Sequence, residues 1–288
     1  MTILMTGLCE KGADQIWKQC NDALYAQGVT WLEEAAYAGD AEAWFFLGHC
    51  YSWGDGAVGF NEKKAYECYL RGASAGSARA VLGALRAGQY DEQMKRSARY
   101  SIEESYRQVR DAAEMGDVYA AWQMGEAVEW EDLADYMPQT ESAREQCLFW
   151  YERAADGGII PAMVKMGKCC QNGTYREKDE KEALRWANQC AASGEVWGLF
   201  QMGEHYRQEE DWEAAFQYDY AAAKQGSSRA MLYLGQMYLN GQGTERDIQA
   251  AVQALENAAA RNEAESFEEL GNLFYQDELV ERDDEKAF

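Results

Sequence analysis

Ala222-Ala223-Lys224-Gln225-Gly226, then Ala230, then Leu234-Gly235-Gln236-Met237-Tyr238-Leu239-Asn240-Gly241-Gln242-Gly243, holds one helix end, one turn, one whole helix and one glycine-rich loop. Near-copies recur along most of the 288 residues. Aligned on the residue that closes the helix, the copies stop at Gly39, Gly76, Gly116, Gly158, Gly194, Gly226 and Asn262. Small-residue pairs precede those stops, most clearly Ala35-Ala36, Ala112-Ala113, Ala154-Ala155, Ala222-Ala223 and Ala258-Ala259. Four residues after the stop come Ala43, Ala80, Ala120, Ala162, Gly198, Ala230 and Ser266; nine after it come Gly48, Leu85, Gly125, Gly167, Gly203, Gly235 and Gly271. Leu85 breaks the register, and the nearby Gly83 is out of phase with it.

Glycine or asparagine just past a helix supplies the left-handed residue that closes the last turn. Glycine inside a helix costs about 1 kcal/mol relative to alanine, so its return at one repeat position needs a cause. Close approach of two helix backbones, with alanine at the facing position, is the expected one. Leu47, Met124, Met166, Met202, Leu234 and Leu270 precede that position, and Tyr51, Tyr206, Tyr238 and Phe274 follow it by three. This is the buried stripe of an amphipathic helix.

A second helix is read from Lys64-Ala65-Tyr66-Glu67-Cys68-Tyr69, Cys147-Leu148-Phe149-Trp150-Tyr151, Glu182-Ala183-Leu184-Arg185-Trp186 and Ala214-Ala215-Phe216-Gln217-Tyr218. Gly54-Asp55-Gly56 and Gly241-Gln242-Gly243 join the two helices, and acidic or polar residues after them can cap the next helix. Helix pairs at this period indicate a helical repeat array. Gly48-His49-Cys50-Tyr51-Ser52-Trp53-Gly54-Asp55-Gly56, the following Lys64-Ala65, the Ala-Ala-x-x-Gly boundaries and the run Gly235–Gly243 with Asp247 resemble Sel1-like repeats, relatives of tetratricopeptide repeats. The resemblance spans about Trp31 to Phe288 and is weakest at 85–100 and 126–145, where the GxG loop is missing. It implies an all-α, right-handed superhelical solenoid of antiparallel helix pairs. Residues 1–30 are expected to form an N-terminal helical capping region, in which Ile16, Cys20 and Leu24 share a face. Residues 31–288 are expected to hold about seven repeats. The last is incomplete, because Asp283–Phe288 repeats only the start of a second helix; two expectations stand for that end, that the natural chain continues or that the end is a contact surface.

Composition bounds the function. Hydrophobic residues make up 47% of the chain and there are two prolines, as expected of a folded helical protein. A net charge of −23 argues against nucleic acid and against anionic membrane, both of which need basic surface. Met1 to Gly12 has neither a basic n-region nor a long apolar core, and no stretch reaches the roughly 18 apolar residues of a membrane span. A cytoplasmic protein is expected. The cysteines Cys9, Cys20, Cys50, Cys68, Cys147, Cys169, Cys170 and Cys190 form no CxxC pair and read as reduced core thiols, without a metal site or disulfide framework.

The chemistry of a catalyst is missing. His49 and His205 lie in different repeats, the acidic pairs are too many to single one out, and the GxG loops lack the Lys-Ser/Thr of a phosphate cradle. No cofactor is implied and no enzyme is expected. A cysteine-rich secreted branch of the resembled family is associated with penicillin binding, but this chain lacks that branch's cysteine spacing, which leaves a hydrolase as the third reading.

Binding remains. In tetratricopeptide relatives the first helix of each pair lines the concave face. Carried over position by position, this implies partner-binding residues at Phe45, Trp53, Tyr119, Trp122, Trp130, Trp197, Phe200, Arg207 and Arg229, with His49, Glu126, Glu129, Glu204, Gln208, Gln236 and Asn240 beside them. Two readings stand together: the rings are exposed anchors, or they pack between adjacent first helices. The leading function is a non-enzymatic scaffold that binds a peptide or protein, with a basic segment suited to the acidic rims. The alternative is a bacterial immunity protein that neutralises a basic toxin.

Overall fold

The computed structural model describes residues 2–18, 22–54, 58–130 and 143–275. Every regular element among them is a helix, and they form two compact units, Met1–Glu180 and Lys181–Phe288. In the first unit α1 (Thr2–Trp17) pairs with α2 (Asp22–Tyr37), and α3 (Ala41–Trp53) with α4 (Glu62–Ala75). Next come α5 (Ala78–Arg86), a short α6 (Glu92–Ser97) and α7 (Ile102–Glu114), with α5 against α7. The pair α8 (Val118–Glu129) and α9 (Ala143–Asp156) follows, and α10 (Ile160–Asn172) packs on α9. The second unit holds α11 (Glu180–Ala192), α12 (Val196–Gln208), α13 (Trp212–Lys224), α14 (Ser228–Asn240), α15 (Ile248–Ala259) and α16 (Ala264–Tyr275). There α12 lies on α13, and α14 on α15. The fold is an all-α solenoid of antiparallel helix pairs. Antiparallel packing is visible where Gly48 of α3 meets Tyr69 of α4 while Gly72 of α4 meets Ala41 and Trp44 of α3.

The helix stops follow from local chemistry. Gly39, Gly76, Gly116, Gly158, Gly194 and Gly226 all lie at φ between 83° and 105°, and Asn262 lies at 61°. At Gly39, Gly116 and Gly226 a Cβ would touch nothing, so backbone conformation alone selects glycine there. The starts are capped as well: Asp40, Asn61, Ser77, Asp117, Asp211, Ser227 and Asp247 each accept a backbone N–H from the first turn of the following helix.

The repeat glycines differ from expectation. At Gly48, Gly125 and Gly235 a ring or aliphatic side chain of the second helix, rather than a neighbouring backbone faced by alanine, occupies the space. A Cβ on Gly48 would sit 2.6 Å from the Tyr69 ring, one on Gly125 would sit 2.7 Å from Tyr151, and one on Gly235 would sit 2.6 Å from Leu255. Gly83, two residues before its expected place, meets the same ring: its Cβ would sit 2.7 Å from Tyr69. Tyr69 is thus clasped by glycines of two successive first helices, and the slip at Leu85 leaves the packing intact. True backbone approach occurs elsewhere, at Gly12 against the Gly28 carbonyl and at Gly198 against the backbone of Ala187 and Ala191.

The stripe residues Leu47, Met124, Met166, Met202, Leu234 and Leu270 are all buried, as are Ala43, Ala80, Ala120, Ala162, Ala230 and Ser266. Where the GxG loop is missing after α5, α6 takes its place. Asp91 caps α6 and accepts a hydrogen bond from Tyr66 Oη at 3.0 Å, Met94 is buried, and Arg99 N–H donates to the Ala73 carbonyl. The expectations for Cys20, Asp55, Gly56, 131–142 and the C-terminal end fall outside the described residues. The seven described cysteines are all buried.

Candidate functional site

The first helices α3, α5 and α8 stand side by side, because each unit repeats the same hairpin. On the face they share, α3 presents Phe45, His49 and Trp53, α5 presents Leu82 and Arg86, and α8 presents Gln123 and Glu126. These side chains enclose a cavity of about 230 Å³, closed on one flank by Tyr69 and Phe60. Its mouth is aromatic and exposed. Trp53 is 48% exposed and Phe60 68%; Trp130, 57% exposed, lies over the Arg86 guanidinium at 4.4 Å, with Trp53 on the same guanidinium at 5.4 Å.

Behind the cavity lies a closed aromatic box. The His49 ring packs edge-on against Trp122 at 4.7 Å between centroids and against Trp17 at 5.3 Å; Trp17 also meets Phe46, Trp122 and Tyr119. Tyr119 Oη donates to Asp14 Oδ1 at 2.7 Å, which ties α8 to α1. Burial, with the Arg86 charge adding to it, pulls His49 down to about 3, so its imidazole is neutral. Neither ring nitrogen has a hydrogen-bond partner among the described residues, so no hydroxyl or thiol is paired with it as a nucleophile. Burial pushes the Cys68 and Cys147 thiols up to about 12, which leaves them inert. Among the described residues no group of three His, Cys, Asp or Glu side chains is placed to hold a metal.

Phe45, Trp53, Trp122 and Trp130, spread over 86 positions of sequence, converge on this face, but with different roles. Phe45 and Trp122 are buried as floor and backing, in line for these two rings with packing between neighbouring helices rather than with exposed anchors. The neighbouring helices cover them: Phe45 packs on Gly83 of α5, and Trp122 packs on Trp17 of α1. Tyr119 is half-buried, and Trp53 and Trp130 remain open. The sequence reading missed Trp17, Phe60, Arg86, Gln89 and Gln123. Arg79 was missed too: it pairs with Asp117 and, at 3.6 Å, with Glu42.

Trp197, Phe200, Arg207 and Arg229 belong to the second unit. Arg207 forms an ion pair with the fully buried Asp219, and its guanidinium lies 3.7 Å from the Tyr233 ring centroid and 5.5 Å from that of Phe200. Burial pushes the Asp219 carboxyl up to about 6, against the opposing pull of Arg207. Asp219 takes the place over Gly203 that Leu255 takes over Gly235. Trp197 and Phe200 are half-buried, and Arg229 is exposed at the start of α14. Arg207, Trp212, Tyr233, Gln236 and Glu269 line a separate hollow of about 420 Å³ in this unit.

Comparison with known proteins agrees with this geometry. A protective antigen of uropathogenic Escherichia coli with an SLR fold superposes with a TM-score of 0.61 at 20% identity, covering 98% of this chain and 59% of that one. A Sel1 repeat protein from Oxalobacter formigenes aligns over 93% of this chain and 86% of its own at 22% identity, with a TM-score of 0.45. An uncharacterised protein of Neisseria meningitidis serogroup B, NMB1327, is 28% identical over 174 residues, 59% of this chain. The matched stretch is 34% of that relative's length, so the chain spans about a third of it. Sel1 repeats match at 22–40, 41–77, 118–159, 160–195, 228–263 and 268–288. With more than half its residues in those matches, and with the helix pairs and glycine stops they require, this chain belongs to the Sel1 repeat family.

Proposed function

We propose that the chain is a non-enzymatic protein-binding scaffold, acting in the cytoplasm, that engages a polypeptide on the first-helix face of its N-terminal unit. The observation that carries this reading is the open aromatic mouth formed by Trp53 and Phe60 over the cavity, with the exposed Trp130 sharing the Arg86 guanidinium with Trp53. Contiguous exposed aromatic surface marks contact sites, and tryptophan, tyrosine and arginine dominate interface energetics. The cavity is smaller than the roughly 300–1,000 Å³ of small-molecule sites, which favours a single side chain of a larger partner over a cofactor. The charge of −23 favours a basic partner surface over nucleic acid or anionic lipid.

Affinity capture from native lysate tests this. Trp53→Ala and Trp130→Ala remove exposed rings without opening the core, and Tyr37→Ala, 75% exposed on another surface, is the control. A captured protein that is lost with the two tryptophan variants and kept with the control is the expected result. Identical capture by all three counts against the assignment. The same acidity supports a narrower reading, in which the partner is a basic toxin that the chain neutralises; growth rescue on co-expression separates the two.

A further inference from the structure

We propose that α1 is an acid-released strap: a charge on His49 breaks the aromatic box at Trp17, and α1 lifts from α3 and α8. This goes beyond the protein-binding reading, which concerns the open mouth; here the covered side of the same helices acts. The hold of α1 on the array centres on one ring. Trp17 is 3% exposed and reaches Phe46 and His49 of α3 and Tyr119 and Trp122 of α8. Close by, Asp14 accepts the Tyr119 hydroxyl and the Lys18 ammonium lies 5.7 Å from the Tyr119 ring centroid. Beside these contacts a hollow of about 580 Å³ lies between α1 and the starts of α3, α5 and α8. Its walls carry the carboxylates of Glu10, Asp14, Asp40, Glu42 and Asp117 against Lys18 and Arg79, an excess of negative charge that does not help to seat α1. Along its length α1 packs on α2, whereas α3 lies among α2, α4 and α5, and α8 between α7 and α9. The end unit of an array has neighbours on one side only and opens before the interior. Trp17 is therefore the wall of the box that gives way first.

His49 supplies the trigger. Both of its ring nitrogens are shut off from solvent, and neither has a hydrogen-bond partner among the described residues. Protonation makes both nitrogens donors, and the closed box offers them no acceptor. The charged and titratable groups around the ring are few. Arg86 of α5 opposes a second cation, and Glu62 and Tyr69 of α4 and Glu126 of α8 line the neighbouring cavity. From α1, Asp14 and Lys18 are engaged with Tyr119 and with each other. A buried charge without a partner is costly enough to reorganise what surrounds it. Opening on the α1 side lets water reach the imidazole and leaves α3, α5 and α8 packed on one another. Phe46, Tyr119 and Trp122 then lose the ring that covers them, so acid bares aromatic surface of the kind that makes contacts. Burial and Arg86 hold His49 at about 3 in the closed box, and in the open one it returns toward the ordinary 6.5. Because the closed value is the lower, closure is fully favoured above pH 6.5 and loses ground as pH falls. Between about pH 7.5 and about pH 5 these two values raise the opening constant by about thirtyfold.

Hydrogen–deuterium exchange of the full chain, resolved by peptide and corrected for the intrinsic rate at each pH, tests this at about pH 7.5 and about pH 5. Protection of the α1 peptides should fall by about thirtyfold, while that of α9 and α14 changes little. His49→Phe keeps a ring without a titratable group and should hold α1 protection level between the two conditions; His49→Leu serves where His49→Phe does not fold. Glu42, whose carboxyl burial pushes up, lines the hollow under α1 and is retained in both variants, so it cannot account for their difference from wild type. Trp17→Ala should leave α1 poorly protected at both pH values. Wild-type α1 protection that does not change with pH, as when a charged His49 turns to Glu126 inside a closed box, overturns the strap. A loss shared equally by α1 to α10 overturns it too, since that is unfolding of the whole unit. So does a fall in α1 protection that persists in the folded His49 variants, or wild-type protection of α1 in Trp17→Ala.

Discussion

Replacing Gly125 with alanine is the sharpest test of how these helices pack. On helix propensity alone the change stabilises by about 1 kcal/mol. The structure reverses the sign. The new Cβ would lie 2.7 Å from Cδ1 and Cε1 of Tyr151 and 3.1 Å from Cγ, well inside contact distance. Tyr151 has little room to yield, since its ring is buried and its hydroxyl donates to Glu129 Oε2 at 2.7 Å. Overpacking of this kind costs about 1–3 kcal/mol, and a ring held at both ends belongs at the upper end. The net expectation is a loss of about 1–2 kcal/mol, read from urea denaturation followed by circular dichroism. Gly7→Ala is the matched control, because a Cβ at Gly7 in α1 meets nothing within 4 Å; it should stabilise by up to about 1 kcal/mol. In a Tyr151→Ala background, Gly125→Ala should change sign and become stabilising. A Gly125→Ala protein as stable as wild type, with Tyr151 intact, would falsify the claim that ring contact selects glycine at this position.

Acid should weaken the first unit through His49. Its folded value of about 3 lies below the ordinary 6.5, so the unfolded chain binds the proton more readily. The associated stability is complete above pH 6.5 and drains away as pH falls from there toward 3, by about 2 kcal/mol at pH 5. His49→Leu should flatten that part of a stability–pH curve, and an unchanged slope would remove His49 as its source. In the second unit, Asp219→Ala strips the counter-charge from an Arg207 side chain that is only 11% exposed, and should cost about 3–5 kcal/mol in chemical denaturation. Joint replacement by Asp219→Leu and Arg207→Met, copying the Leu255–Gly235 contact, should recover most of that loss. Gly116→Ala, where a side chain meets no neighbour but φ is 102°, should cost about 1–2 kcal/mol from backbone strain alone.

The helix stops, the caps and the buried stripe were legible in the residues themselves, because each depends on groups within one or two turns of chain. A left-handed residue at Gly226 or Asn262 and an accepting side chain at Asp247 or Ser227 act whatever packs nearby. The repeat itself, and hence the family and fold, follows from those local signals recurring in register. The candidate site was legible only as a set of positions. Phe45, Trp53, Trp122 and Trp130 all fall on the first-helix face, yet two of them are walls and two are open rings. That division depends on which neighbouring helix reaches each position: Trp17 arrives from 105 residues before Trp122, and Gly83 of the next repeat closes over Phe45. The amide nitrogens of Gln89 and Gln123 are held by the carbonyls of Glu62 and Arg79, which only packing brings to them. Hydrogen-bond supply and burial are properties of the assembled neighbours, and no single helix carries the information that decides them.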